Sequence, residues 1–369
     1  MNTSSIVFRE VDRYNSHPFI TRLADGDWLV AFSSGPARIP VRHPPDEPEF
    51  VNFLIRSVDQ GQSWSEPVQV PGKEWHGVEN PGLAQISSGE VLLNQWQYRW
   101  LPIDEGKGLN DAAFERCYWF DPARKRWVPI RGESDLDRHP FPYLRADDGA
   151  FVHISDDGGV TWSYSVQIDI APYLGAFSPK GAIELADGTV VLALGSQDHD
   201  PLAANFVVRS EDRGRSWGKP IEAARFPGLV FSEPSVAATS SGRLLLISRE
   251  ESTGFIHQSD SDDSGFTWSA PRRLSLWGYP AHCIRLGDGR MLMVYGHRRS
   301  PYGIRSAVSS DEGETWGEEL LIRDDLAGSD NGLNLGYPAV IEYEPGKLFT
   351  VYYGEHDGAI CIEGSWFEA

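Results

Sequence analysis

The chain has 369 residues, with 53 acidic against 33 basic side chains, a formal net charge of −20 and 40% hydrophobic residues. A charge of that sign argues against nucleic acid or an anionic membrane as partner, and no apolar run approaches the ~18 residues of a spanning helix. It leaves an anionic small molecule open, because a local arginine cluster can outweigh a global field.

The N-terminal sequence MNTSSIVFRE has no basic segment followed by an apolar one, so a cytoplasmic protein is expected. Ile6–Val11 reads as a strand that completes the last sheet beside Ala359–Phe367. Then comes a unit that recurs: Pro18 and Gly26 stand eight residues apart, followed by the apolar run Trp28–Phe32. A long polar loop, Ser33–Glu49, carries Arg38, Arg42, His43, Asp46 and Glu47, and loops of this length are often functional. Asn52–Arg56 reads as a strand and runs into the octet Ser57–Trp64, SVDQGQSW.

The same grammar repeats down the chain. Pro81 and Gly89 precede Val91–Leu93, Lys180 and Gly188 precede Val190–Leu194, Pro234 and Gly242 precede Leu244–Ile247, Ala281 and Gly289 precede Met291–Tyr295, and Pro338 and Gly346 precede Leu348–Tyr353. Further octets lie at 155–162, 210–217, 261–268 and 309–316, each fitting Ser-x-Asp-x-Gly-x-Ser/Thr-Trp. Strand-like segments precede them, among them Phe151–Ile154, Phe206–Arg209 and Arg305–Val308. Only the stretch 97–150 departs from the pattern; within it Tyr118–Val128 reads as a hairpin around Asp121-Pro122. Cys117, Cys283 and Cys361 have no metal spacing and suit buried apolar positions; no cofactor or metal is expected.

Each octet reads as a tight turn. The Asp accepts backbone N–H groups, the Gly supplies a left-handed residue and the Trp packs on a neighbouring sheet. A recurring short unit with short strands and no helical pattern implies an all-β chain, and the six Gly-turn units, four of them opened by Pro, suggest a six-bladed β-propeller with about four antiparallel strands per blade, as one domain over 1–369.

The octets are Asp boxes, and with them the chain resembles the sialidase (neuraminidase) superfamily. The resemblance implies a site at one mouth of the central channel. Glu233 opens an inner strand at Ser232-Glu233-Pro234, and Arg249 follows sixteen residues later, the family's spacing for its glutamate and second arginine. Gly336-Tyr337-Pro338 stands at the family's tyrosine, Arg299 or Arg305 where its third arginine lies, and Asp46 or Glu47 where its acid/base aspartate lies. The implied activity is exo-acting hydrolysis of an acidic saccharide. Tyr337 would be the nucleophile, Glu233 would take its proton, Asp46 or Glu47 would protonate the leaving oxygen, and Arg249 with Arg305 or Arg299 would grip a carboxylate. A neutral phenol suits an anionic substrate because it avoids like-charge repulsion.

The chain departs from the family at the first inner strand. Sialidases carry Arg-Ile-Pro there, whereas alignment on Pro18 gives Ser16 with His17 beside it. Arg38-Ile39-Pro40 falls in a loop, away from any strand and Gly turn. Two other readings therefore stand beside hydrolysis. His17, His76, His139 and His282 lie near inner-strand starts, and a His–Tyr pair could serve a lyase acting on uronate-containing glycans. A carbohydrate-binding propeller without turnover is the third, with Trp75, Trp96, Tyr98 and Trp100 as a possible stacking platform. The expected partner in every case is a carbohydrate.

Overall fold

A computed structural model describes residues 3–39, 43, 47–71, 76–106, 117–123, 126–196, 203–326 and 334–369. The described chain is almost entirely strand and turn, and among the described residues no helix is long and apolar enough to cross a membrane.

The octets fold as their residue types dictate. In the box at 261–268, Ser261 Oγ accepts the Gly265 N–H at 2.9 Å and donates to Asp263 at 2.9 Å. Asp263 in turn accepts the Thr267 N–H at 2.8 Å and its hydroxyl at 2.7 Å. The same bonds recur around Asp59, Asp157, Asp212 and Asp311. The box glycine is left-handed in every copy, as at Gly61 (φ 82°) and Gly313 (φ 85°). Two of these glycines also sit where a Cβ would collide. A Cβ on Gly61 would come within 2.8 Å of Trp28 and 3.2 Å of Trp366, and one on Gly313 within 2.5 Å of Leu245. Each box thus presses against the sheet that precedes its own, and the first box presses against the last sheet.

Five sheets are regular antiparallel blades of four strands. The first takes Arg13–Arg22, Trp28–Pro36, Val51–Ser57 and Val68–Gln69. Others begin at Ile183–Glu184, Phe231–Ala238, Ala281–Arg285 and Gly336–Glu344. In the last of these, Thr3–Phe8 pairs with Ala359–Glu368, so the two ends of the chain share one sheet. The expectation of a terminal strand closing the last sheet is met, although that strand begins and ends three residues earlier than Ile6–Val11.

The expectation of six four-stranded blades is corrected: five blades have that build, not six. The remaining sheet has six strands. Its second strand runs from Val91 to Pro102 and its third from Tyr143 to Ser155, longer than their counterparts in the five blades. That extension carries a hairpin, Cys117–Asp121 with Arg126–Pro129, which is the hairpin expected at 118–128. A separate apolar cluster forms there from Leu101, Cys117, Trp119, Val128, Leu136 and Leu144. Such an insertion is invisible to a repeat count because its own pattern does not repeat.

The inner strands surround a channel of about 430 Å³ lined from all six sheets, with Phe19, Leu83, Ile183, Val236, Cys283 and Ile341 among its walls. Between sheets the core is apolar, one cluster joining Trp28, Phe32 and Phe50 of the first blade to Phe349, Val351 and Tyr353 of the last. All three cysteines are buried thiols.

Ser261 is 2% exposed, so Ser261→Ala strands the Gly265 N–H. We expect a loss of about 1–3 kcal/mol, read as a lower urea midpoint. The box carboxyls set an acid limit. Asp157, Asp263 and Asp311 are held at about 2, against an ordinary 3.8, first by the hydroxyls of Thr161, Thr267 and Thr315. A depressed carboxyl stabilises the fold above the unfolded value and loses that contribution as pH falls through the folded one. Circular dichroism should therefore show the sheet signal failing as pH drops from about 4 towards about 2.

Candidate active site

Among the described residues, four other than glycine adopt left-handed backbone immediately before a proline: His17 (φ 52°), Asn80 (52°), Glu233 (47°) and Tyr337 (51°). Each lies where strand pairing slips, between Ser16 and Phe19, Glu79 and Gly82, Ser232 and Ser235, and Gly336 and Ala339. Proline cannot donate to a ladder, so it belongs in a bulge, and the bulge turns the residue before it out of the sheet. Such backbone costs on the order of 1–3 kcal/mol per residue and persists where the surroundings over-determine it.

The bulges bring Glu233 and Tyr337 together across blades. The Tyr337 hydroxyl donates to Glu233 Oε1, both residues being buried. Arg249 Nη1 donates to Glu233 Oε2 at 2.6 Å, and its Nη2 stands 3.0 Å from Glu251. Arg249 also lies 4.2 Å over the Tyr279 ring. His17 meets Tyr337 edge-on with ring centroids 4.1 Å apart, and its Nδ1 lies 2.7 Å from Ser16 Oγ.

Burial pushes the Tyr337 hydroxyl well above its ordinary range and the nearby Glu233 carboxylate adds to this, with Arg249 and Arg298 opposing. The phenol therefore keeps its proton until a base takes it. Burial works against the charge on Arg249, yet Glu233, Tyr337 and Glu251 outweigh it and raise the guanidinium. Burial, then His43, Arg298, Lys180 and Arg249, drive His17 well below 6.5, so it is neutral.

The other expected residues fall elsewhere. Arg305 is buried and spends its guanidinium on the carbonyls of Ile304, Pro301 and Arg323, so it is a structural brace. Arg299 is exposed and covers Trp277 at 3.6 Å; that ring abuts Tyr279, one ring removed from Arg249. Glu47 is buried and paired with Arg38 at 3.0 Å. Asp46, with Arg42 and Trp75, lies outside the described residues. The long loop does reach this region, since His43 Nδ1 lies 3.1 Å from the Tyr14 hydroxyl. His139 bonds the backbone of Phe120 and Tyr143, and His282 accepts the Val340 N–H at 3.0 Å. Trp96, Tyr98 and Trp100 are at most 6% exposed, which makes them core rather than platform.

Two cations escaped the sequence reading. Arg298 donates from Nε to the Leu335 carbonyl at 2.8 Å and lies 5.7 Å over Tyr337. It directly follows the strand Met291–His297, just as Arg249 sits near the end of the second strand in its own blade, and that parallel was the available signal. Lys180 is buried and donates to the Pro338 carbonyl at 2.7 Å. It occupies the place that proline holds in four other repeat units, eight residues before Gly188.

This is the architecture of a sialidase-like propeller. Residues 144–350 match the BNR repeat-like domain, and the chain belongs to that family within the sialidase superfamily. It is similar to a sialidase of Micromonospora viridifaciens, 26% identical over 324 residues that cover 81% of this chain and 44% of that protein, so the chain spans less than half its length. A solved protein of unknown function from Dyadobacter fermentans superposes with a TM-score of 0.83 at 22% identity, covering 99% of this chain and 97% of the other. A Hadza microbial sialidase does so at 0.67 and 19%, covering 96% and 66%.

Breaking the buried pair from one side leaves a charge without its partner. Arg249→Met should cost about 3–5 kcal/mol in urea unfolding, and the double variant Glu233→Gln/Arg249→Met should cost less than the sum of the two singles.

Proposed function

We propose that the protein is an exo-acting glycoside hydrolase for an acidic saccharide, with Tyr337 as nucleophile and Glu233 as the base that activates it. The observation that carries this reading is the bond from the Tyr337 hydroxyl to Glu233, whose other oxygen is held by Arg249. A phenol with a raised proton affinity is a poor nucleophile alone, and a carboxylate already bonded to it removes the proton as the new bond forms. The Tyr337 oxygen bonds to the anomeric carbon, the glycosidic C–O bond breaks, and the leaving oxygen takes a proton from an acid of the long loop, Asp46 or Glu47. Water then attacks the same carbon, giving its proton to the loop acid, and the Tyr337 oxygen leaves and recovers its proton from Glu233. Arg249 and Arg298 face the pair and supply positive charge for a substrate carboxylate.

Tyr337→Phe should lower kcat on acidic aryl glycosides by on the order of 10³, and Glu233→Gln by roughly 10²–10⁴, with smaller changes in KM. Full turnover by both variants would sink the assignment.

One observation favours a second reading. His17 is neutral and lies against Tyr337, a pairing suited to taking a proton beside a uronate carboxylate and eliminating the 4-linked sugar. Growth of absorbance near roughly 235 nm on uronate-containing glycans would mark elimination instead of hydrolysis.

A further inference from the structure

Lys180 lies outside the mechanism above, yet little else in the molecule is so unusual physically. Its side chain is among the largest that are fully buried, and its ammonium has one hydrogen-bond acceptor among the described residues, the Pro338 carbonyl. Buried lysines are rare without a carboxylate partner. Its backbone is fixed as tightly. Asn94 Nδ2 donates to the Lys180 carbonyl at 3.1 Å, Ser178 Oγ donates to that carbonyl at 3.0 Å, and a Cβ on Gly82 would come within 2.4 Å of it. The ammonium therefore sits at one place, against the bulge that turns Tyr337 towards Glu233.

We propose that Lys180 is the site's third cation: it braces the Tyr337–Pro338 bulge from beneath and adds positive charge that an anionic sugar meets beside Arg249 and Arg298. This rests on the acidic-saccharide reading and deepens it. The charged and titratable groups around it, taken element by element among the described residues, are His17 on the first inner strand, Glu233 on the fourth, His282 on the fifth and Tyr337 on the sixth. Lys180 acts electrostatically on both histidines, and Glu233 acts on it. Arg249 and Arg298 complete the surroundings through Glu233 and Tyr337. Against these cations the described cluster sets two carboxylates, Glu233 and Glu251, so with Lys180 charged a bound carboxylate balances the site.

The charge is conditional. Burial lowers the Lys180 ammonium from 10.5 to about 7, with Glu233 partly offsetting the fall. Lys180 is therefore cationic below about 7 and loses its proton as pH rises through that value, and an anion binds better on the acid side.

The test is calorimetric binding of N-acetylneuraminic acid and of glucuronic acid, with glucose as neutral control, at about pH 6 and about pH 8.5, for the full chain and for Lys180→Met. Both acids stay ionised across that range. The native chain should bind an acid on the order of tenfold more tightly at the lower pH, and the variant should bind about tenfold more weakly there with no pH slope. Glucose should show neither effect. Methionine removes both the bond to the Pro338 carbonyl and a desolvated buried charge, two effects that oppose each other, so the pH slope and not the melting point carries the test. A lower melting point with an unchanged pH slope would make Lys180 purely structural and overturn the proposal. So would equal native affinity at the two pH values, which is readable even if the variant fails to fold, or no acid binding at either pH. Acid binding without hydrolysis of the matching glycosides would sink the hydrolase reading alone. Turnover with native pH behaviour in Lys180→Met would sink the lysine alone.

Discussion

The left-handed residue before a proline is the constraint from which the candidate site follows. At Glu233 and Tyr337 the strand would otherwise keep its ladder and point alternate side chains into sheet interfaces. The bulge breaks that alternation, and the proline after it removes an N–H that would have no partner. Side chains from blades a hundred residues apart in sequence can then bond across the channel mouth. The strain at each bulge is tolerated because the strands beyond it are locked into sheets whose apolar faces are shared between neighbours. Closure by Thr3–Phe8 on the last sheet and the wedging of each Asp box against the preceding sheet keep that frame from relaxing.

Inside the site no group is independent. Tyr337 bonds Glu233, Glu233 bonds Arg249, and Arg249 faces Glu251, which also accepts the Ser232 hydroxyl next to Glu233 in the chain. In a buried setting each charge is tolerable because its neighbour compensates it. The arrangement keeps the phenol protonated at rest while holding the Glu233 carboxylate in contact, the state from which the proposed tyrosine nucleophile would start.

Legibility in the sequence followed locality. The Asp boxes and Pro/Gly units are short and self-contained, so strands such as Leu244–Glu250 and Met291–His297 lie where the repeat put them. Glu233, Arg249 and Tyr337 were readable because each is tied to a repeat landmark, Pro234 or Pro338. The six-stranded sheet was not, because long strands and a hairpin between 97 and 150 obey no period. Arg305 was placed by the position of the family's third arginine, which does not say whether a guanidinium meets solvent, substrate or, as here, three carbonyls. Arg298 and Lys180 were missed for the converse reason. Their significance comes from what surrounds them in space, and only the repeat position of Lys180 hinted at the channel.

The global charge of −20 and a cluster of buried cations coexist for a physical reason. Exposed carboxylates act through water and salt, and beyond roughly 8 Å at physiological ionic strength their field is largely screened. Arg249 and Lys180 sit behind protein, where screening is weak and the nearest few charges decide the potential. Acidity over the surface thus governs solubility and long-range encounter. The field at the Tyr337 oxygen is set by the cations and carboxylates that fold around it.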